Sequence, residues 1–384
     1  MSLPFSQIRT TLLLALLFSF RLLGLFMILP VFSLYASSYQ GNTLFLMGVA
    51  IGIYGLTQAL FQLPFGFLSD RFGRKPLIVI GFLLFAIGSL IAGFTQHIYG
   101  LILGRALQGS GAIGSTLLAM TADVTSEKYR TQAMAIIGIS IGASFSIAIM
   151  LGPWLAATHS ISSIFFISFI FALLGIILTF LLPSPRIQHP LGFLKKKYFE
   201  FLFEKNILVF NMSILCLHFI LTANFIVIPI LLLKQFHIEK SNQYLFYLPL
   251  LVLSAISMMM ILRRSEKNSK NLKLLKTTVT LLCLSQAGLT FLNFSFLFFF
   301  IHLFLFFTAL NLLEAILPAL LSMYAPAEGR GTALGFYSTC QFIGIFLGGI
   351  LGGYTYGQFS LMGVFLLGFI INIFWLLSIL KINK

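Results

Sequence analysis

Charge is scarce in this sequence. Asp, Glu, Lys and Arg make up 9% of its 384 residues, and only nine are acids. A soluble domain carries about 25% charged residues, so a water-facing surface of ordinary composition is excluded. Cysteine is almost absent as well. Cys216, Cys283 and Cys340 each fall inside an apolar run, which rules out a disulfide framework or a metal site of Cys/His spacing and leaves them as packing residues. No GxxxxGK(S/T) stretch occurs, so nothing cradles a nucleotide phosphate. The few polar residues form no nucleophile and base pair, and an enzyme is not expected.

What the chain has instead is apolar length. Hydrophobic residues make up 59% and the mean hydropathy is +1.03. Runs of about 20 residues, the length that crosses a hydrocarbon core of about 30 Å, recur throughout. Twelve can be placed, at 11–34, 44–67, 76–95, 98–122, 131–155, 162–183, 206–233, 243–262, 274–292, 295–324, 331–356 and 359–380. The expected fold is an all-α membrane protein of twelve transmembrane helices in two pseudo-symmetric six-helix halves. The halves are 1–183 and 206–384, joined by a basic linker at 184–205. The first run carries Arg21 and lacks a small-residue cleavage site, so it is expected to stay as a helix.

The net charge of +15 has a location that explains it. With twelve spans, twenty Lys and Arg fall on one side and only Lys234 and Lys240 on the other. That asymmetry places both termini in the cytoplasm and makes the basic balance a matter of topology rather than nucleic-acid binding. A repeat supports the two halves: RTQAMA at 130–135 and RGTALG at 330–335 occupy equivalent loops. The basic RRSEKNSKNLK at 263–273 is the counterpart of the loop after the second span, without its Asp and glycines. Two such halves are a transporter architecture.

Ionisable residues at membrane depth cost at least about 2.5 kcal/mol each and mark function. Arg21, Arg105, His218, His302 and Glu314 lie on spans 1, 4, 7 and 10, as though those helices faced a water-filled cavity. Glu314 is the sole embedded carboxylate. Asn311 shares its face, and Pro318 removes the helical donor from its backbone carbonyl. A carboxyl group there can become neutral by taking up a proton, as a proton-coupled carrier requires. The alternative is a structural ion pair with Arg21 or Arg105. His218 and His302 can equally be hydrogen-bonded packing residues.

The stretch GFLSDRFGRKPL at 66–77 gathers Asp70, Arg71, Arg74 and Lys75 between two spans, flanked by Gly66 and Gly73. It resembles the loop between helices 2 and 3 of the major facilitator superfamily. LGRALQGSG at 103–111 is similar to the helix-4 motif of that superfamily's proton-coupled antiporters, with Arg105, Gln108 and Gly109 in place. Gly138, Gly142, Gly152 and Pro153 resemble the helix-5 antiporter motif in part, with Ala148, Ala156 and Ala157 where glycines are usual. Longer segments, among them IGIYGLTQALFQLPFGFLSD and NLLEAILPALLS, resemble one type of inner-membrane transporter in the drug/proton antiporter group. That type carries a soluble ferredoxin-like domain after helix 12, whereas this sequence stops at Lys384.

The resemblance implies that Asp70 faces the helix start near Gly331 and Thr332, and that Arg74 reaches Asp123, so that the cluster latches the halves on the cytoplasmic side. The plainer reading is a topology signal, which lysines alone would satisfy. The resulting expectation is an alternating-access carrier in the bacterial inner membrane, exporting a hydrophobic or amphiphilic small molecule in exchange for protons. It would act as a monomer in the lipid bilayer, with no cofactor beyond the proton gradient. Glu314 would be the proton site, Arg105 a coupling cation, and Arg21, His218 and Asn311 cavity groups. A proton symporter or facilitator for a polar metabolite, and a non-transporting receptor or scaffold, are the competing readings.

Overall fold

A computed structural model describes residues 4–183, 200–266, 271–291, 295–326 and 329–381. With no water in a bilayer core, each segment must satisfy its own backbone, and helices do so. They are α1 Phe5–Phe26, α2 Phe32–Tyr35, α3 Leu44–Phe72, α4 Arg74–Phe94, α5 Ile98–Ser110, α6 Gly114–Val124, α7 Glu127–Thr158, α8 Ile161–Leu181, α9 Lys205–Lys234, α10 Gln243–Glu266, α11 Asn271–Leu289, α12 Phe296–Tyr324 and α13 Arg330–Leu380. Among the described residues the sole strand-like contact is an isolated bridge between Gln40 and His97. Nine of the described helices, α1, α3, α4, α7, α8, α9, α10, α12 and α13, are long and apolar enough to cross a membrane.

Contacts divide the chain into two units. The first is Met1–Asn42 with Ile53–Phe193, and the second is Thr43–Gly52 with Leu194–Lys384. In the first, α1 packs on α7 and α8, and α4 on α5 and α8. Phe20 stacks on Phe171 at 5.0 Å between ring centroids. α4 shows how such a helix divides its faces: Ile78, Phe82, Phe85 and Ala92 are buried, while Ile80, Leu83 and Ile87 form an exposed apolar stripe of the kind lipid covers. In the second unit, α9 packs on α13, α11 on α12 and α13, and α10 on α12. α9 is apolar all round and accordingly buried nearly all round. Many phenylalanines pack on one another: the Phe246 ring lies 5.8 Å from Phe296, 6.0 Å from Phe299 and 5.8 Å from Phe300.

Four expected spans differ in the structure. The first helix ends at Phe26 rather than 34, because Pro30 has no N–H for the carbonyl of Phe26, which accepts from Leu29 instead at 3.1 Å. The run expected at 98–122 breaks into α5 and α6. Gly111 (φ −72°, ψ 57°) adopts an inverse γ-turn, with Ala112 N–H donating to Ser110 O and Ile113 N–H to Gly111 O, both at 2.8 Å. The last two spans run through as α13 to a single non-helical residue, Ser360 (φ 63°, ψ −166°), not to a gap at 357–358. Of the expected linker 184–205, residues 184–199 lie outside the described residues.

Candidate functional site

In the first unit, the two buried arginines gather around one aromatic ring. α1 brings Arg21 and α5 brings Arg105, 2% and 1% exposed. The Arg21 guanidinium carbon lies 6.0 Å from the Tyr54 ring centroid and that of Arg105 lies 4.9 Å from it, both within cation–π reach. Arg21 Nη2 donates to Gln58 Oε1, and Gln58 Nε2 donates to Gln62 Oε1 at 2.7 Å. Arg105 Nη1 donates to Gln108 Oε1 at 2.9 Å, and Gln108 Nε2 donates to Ser89 Oγ at 2.8 Å. Both cations are thus met by neutral amides and a ring.

Tyr54, Gln58 and Gln62 are not among the residues that stand out in the sequence as candidate site groups. Their signal was legible: they recur every fourth residue on one face of an otherwise apolar helix. The sequence places Gly142 and Gly152 together in one motif, but they meet different surroundings. Gly142 and Gly138 face open space, whereas a side chain on Gly152 would stand 2.1 Å from the carbonyl oxygen of Met27, the residue that caps α1. Pro153 follows inside α7.

In the second unit, Glu314 of α12 pairs with His218 of α9. Glu314 Oε1 lies 3.3 Å from His218 Nε2, with 39% of the Glu314 side chain exposed and 3% of the histidine's. Gln341 Nε2 of α13 is 2.8 Å from the same ring nitrogen. Asn311 turns to α10, donating Nδ2 to Ser254 Oγ at 3.1 Å. His302 Nδ1 lies 2.8 Å from Phe298 O in its own helix. The carboxyl group therefore sits where one side is open and the other meets a shielded imidazole, an arrangement through which a proton can pass.

The charged stretch where α3 gives way to α4 is also built. Arg74 Nη1 donates to Asp70 Oδ1 and to Ser69 Oγ, the latter at 2.7 Å, and Arg74 Nε donates to Asp123 Oδ2 at 2.9 Å. Gly73, at φ 96°, supplies the left-handed turn that lets α4 start beside the end of α3. Arg71 instead lies over Phe72 at 5.3 Å. A side chain on Gly66 would come no nearer than 3.5 Å to Ser115 Oγ, and Gly331 opens α13 with open space around it. Among the described residues, no group of three or more His, Cys, Asp or Glu could hold a metal ion.

Apolar spanning helices, an arginine bay, a carboxyl–imidazole pair and an Asp–Arg–Asp loop cluster together describe a membrane transporter. The chain belongs to the Major Facilitator Superfamily, whose family model matches residues 14–348, and it is a multi-pass membrane protein of that superfamily. It is 41% identical over 363 residues to the inner membrane transport protein YajR of Escherichia coli, covering 94% of this chain and 80% of that one. It is 36% identical over 146 residues to Multidrug resistance protein 1 of Bacillus subtilis, covering 36% of this chain and 37% of the other. Among solved structures, a D-xylose-proton symporter superposes with TM-score 0.73 at 15% identity, covering 95% of this chain and 96% of that one, a likeness of fold.

Proposed function

We propose that this protein is a secondary exporter that expels hydrophobic or amphiphilic compounds in exchange for protons by alternating access, with both termini in the cytoplasm. The observation that carries the reading is the Glu314–His218 pair, 3.3 Å across. It joins a half-open carboxyl group to a buried base inside an apolar unit, and it can be loaded and unloaded by one proton. Membrane potential supplies the driving force: one charge crossing 100 mV is worth about 2.3 kcal/mol, about a fortyfold gradient per proton. The Asp70–Arg74–Asp123 cluster acts as the latch of the cycle. The multidrug resistance relative supports export, and the one-sided Lys and Arg distribution supports the orientation.

The test uses purified protein in liposomes with a pH-sensitive dye inside and a panel of lipophilic compounds added outside. Compound-dependent proton flux should occur with the wild type and vanish with Glu314→Gln. Compounds that equilibrate equally through both proteins without moving protons would make this a facilitator and Glu314 a structural residue.

A further inference from the structure

We infer that Arg105 and Arg21, with the amino-terminal end of α6, bind the negatively charged head of the transported compound, so that the substrates are amphiphilic organic anions such as aromatic or aliphatic carboxylates. This rests on the transport reading above and adds to it a substrate class.

The unit encloses two guanidinium groups within 6.0 Å of one ring centroid. Arg105 is buried, yet its Nε and Nη2 have no hydrogen-bond partner, and the buried Tyr54 hydroxyl has none either. Nε–H and Nη2–H are neighbouring donors on one edge of the guanidinium fork, and they match the two oxygens of a carboxylate or sulfonate. The other edge is already engaged through Nη1 with Gln108, so the unused edge is held in place. No carboxylate forms an ion pair with Arg105 among the described residues; Asp70 and Asp123, acids of the same unit, are both taken by Arg74. A buried guanidinium without a counter-charge is costly, and an arriving anion removes that cost.

A separate observation points the same way. The break at 111–113 starts a new helix, α6, inside what would otherwise be one span, and a side chain on its first residue, Gly114, would stand 3.2 Å from Arg21 Nη1. The first N–H groups of a helix have no partner within it and carry positive partial charge, which favours an anion there. Interrupted helices present such ends to anionic substrates in other carriers. The apolar helices around the bay select an organic anion over an inorganic one. A small hydrated ion would lose its water with no apolar contact in return, whereas an amphiphile gains burial of its body.

The experiment is calorimetric binding to the full chain in nanodiscs of phosphatidylcholine. It uses three probes with one ring system: 2-naphthoate, neutral 2-naphthamide and cationic 2-naphthylmethylammonium. The expected result is that naphthoate binds at least about tenfold more tightly than the amide, the range of a charge-assisted hydrogen bond. Arg105→Gln and Arg105→Lys should both remove that preference, the second because an ammonium keeps the charge and loses the fork. Thermal unfolding of each variant without ligand establishes that it is folded, and the amide serves as a binding control. Amide or ammonium binding as tight as naphthoate, or an unchanged preference in Arg105→Gln, would overturn the proposal. So would binding of inorganic phosphate at the same affinity, or loss of naphthoate binding when phosphatidylglycerol is added, which would assign the bay to a free inorganic anion or a lipid headgroup. Glu314→Gln should still bind naphthoate. Arginine-dependent binding without proton flux would therefore sink the coupling mechanism and leave the anion site standing.

Discussion

Gly152→Ala should destabilise the protein, although alanine is the better helix former. The added Cβ would stand 2.1 Å from the Met27 carbonyl oxygen. Ordinary carbon–oxygen contact is about 3.3 Å, so α1 and α7 must separate by about 1 Å. The obstacle is backbone, which cannot rotate away as a side-chain tip could. Overpacking of this kind costs about 1–3 kcal/mol, against a propensity gain of about 1 kcal/mol for replacing glycine in a helix. Gly142→Ala is the matched control, because it lies in the same helix with nothing within 4 Å and should be neutral or stabilising. Thermal unfolding in detergent, followed by the emission of Trp154 of α7 in a Trp375→Phe background, reads both. At about 2–4 °C per kcal/mol for a unit of this size, the two variants should melt on opposite sides of the wild type or at least several degrees apart. Equal melting temperatures would refute the claim that α1 and α7 meet backbone to backbone at Gly152.

Arg74→Lys, unable to hold Asp70 and Asp123 in a planar fork, should slow transport several-fold while unfolding changes by no more than about 1 kcal/mol, since partly exposed pairs contribute little; an unaltered transport rate would remove the cluster from the cycle. Ser213→Ala strands the Nε1–H of Trp375, which now donates to Ser213 Oγ at 2.8 Å from a site only 2% exposed. A loss of about 1–3 kcal/mol is expected, read by the emission of Trp375 in a Trp154→Phe background, and unchanged stability would show the bond to be dispensable. Tyr39, outside the spanning segments, has its phenol pushed up to about 12 by burial. Its neutral form is stabilised in the fold, so that contribution is complete below pH 10 and lost as pH rises toward 12. Tyr39→Phe should lose less melting temperature than the wild type between pH 9 and 12, and parallel curves would contradict the burial of that hydroxyl.

The helices were legible because apolar length in lipid leaves no other backbone solution. Their interruptions were legible only where the cause is local. Pro30 announces the end of α1, since the missing N–H is a property of that residue. The break after Ser110 has its cause elsewhere: Gly111 sits against Gly81 of α4, where a side chain would meet the Gly81 oxygen at 2.2 Å, and nothing in 103–111 reveals which helix lies beside it. The site shows the same division. Arg21, Arg105, His218 and Glu314 stand out as charges in apolar runs, but their partners Tyr54, Gln58 and Gln341 are neutral and become conspicuous only when the helices are packed. The contact between Arg74 and Asp123 joins residues 49 positions apart. It was anticipated from family resemblance, because no spacing rule within one helix reaches so far.

The interruption at Gly111–Ile113 also has a mechanical meaning. A continuous helix transmits torque along its ladder of hydrogen bonds, but across these three residues the bonds are the short loops of γ-turns. α5, which carries Arg105, and α6, which ends beside Asp123 and through it the Arg74 cluster, are therefore two levers with separate axes. Where the chain passes from one to the other it rests on the backbone of Gly81, with the Ile113 side chain seated against the same glycine. Whatever force joins the loop cluster to the arginine bay therefore travels along α3, which carries Tyr54, Gln58 and Gln62 in the bay and Ser69 and Asp70 in the cluster, rather than from α5 into α6.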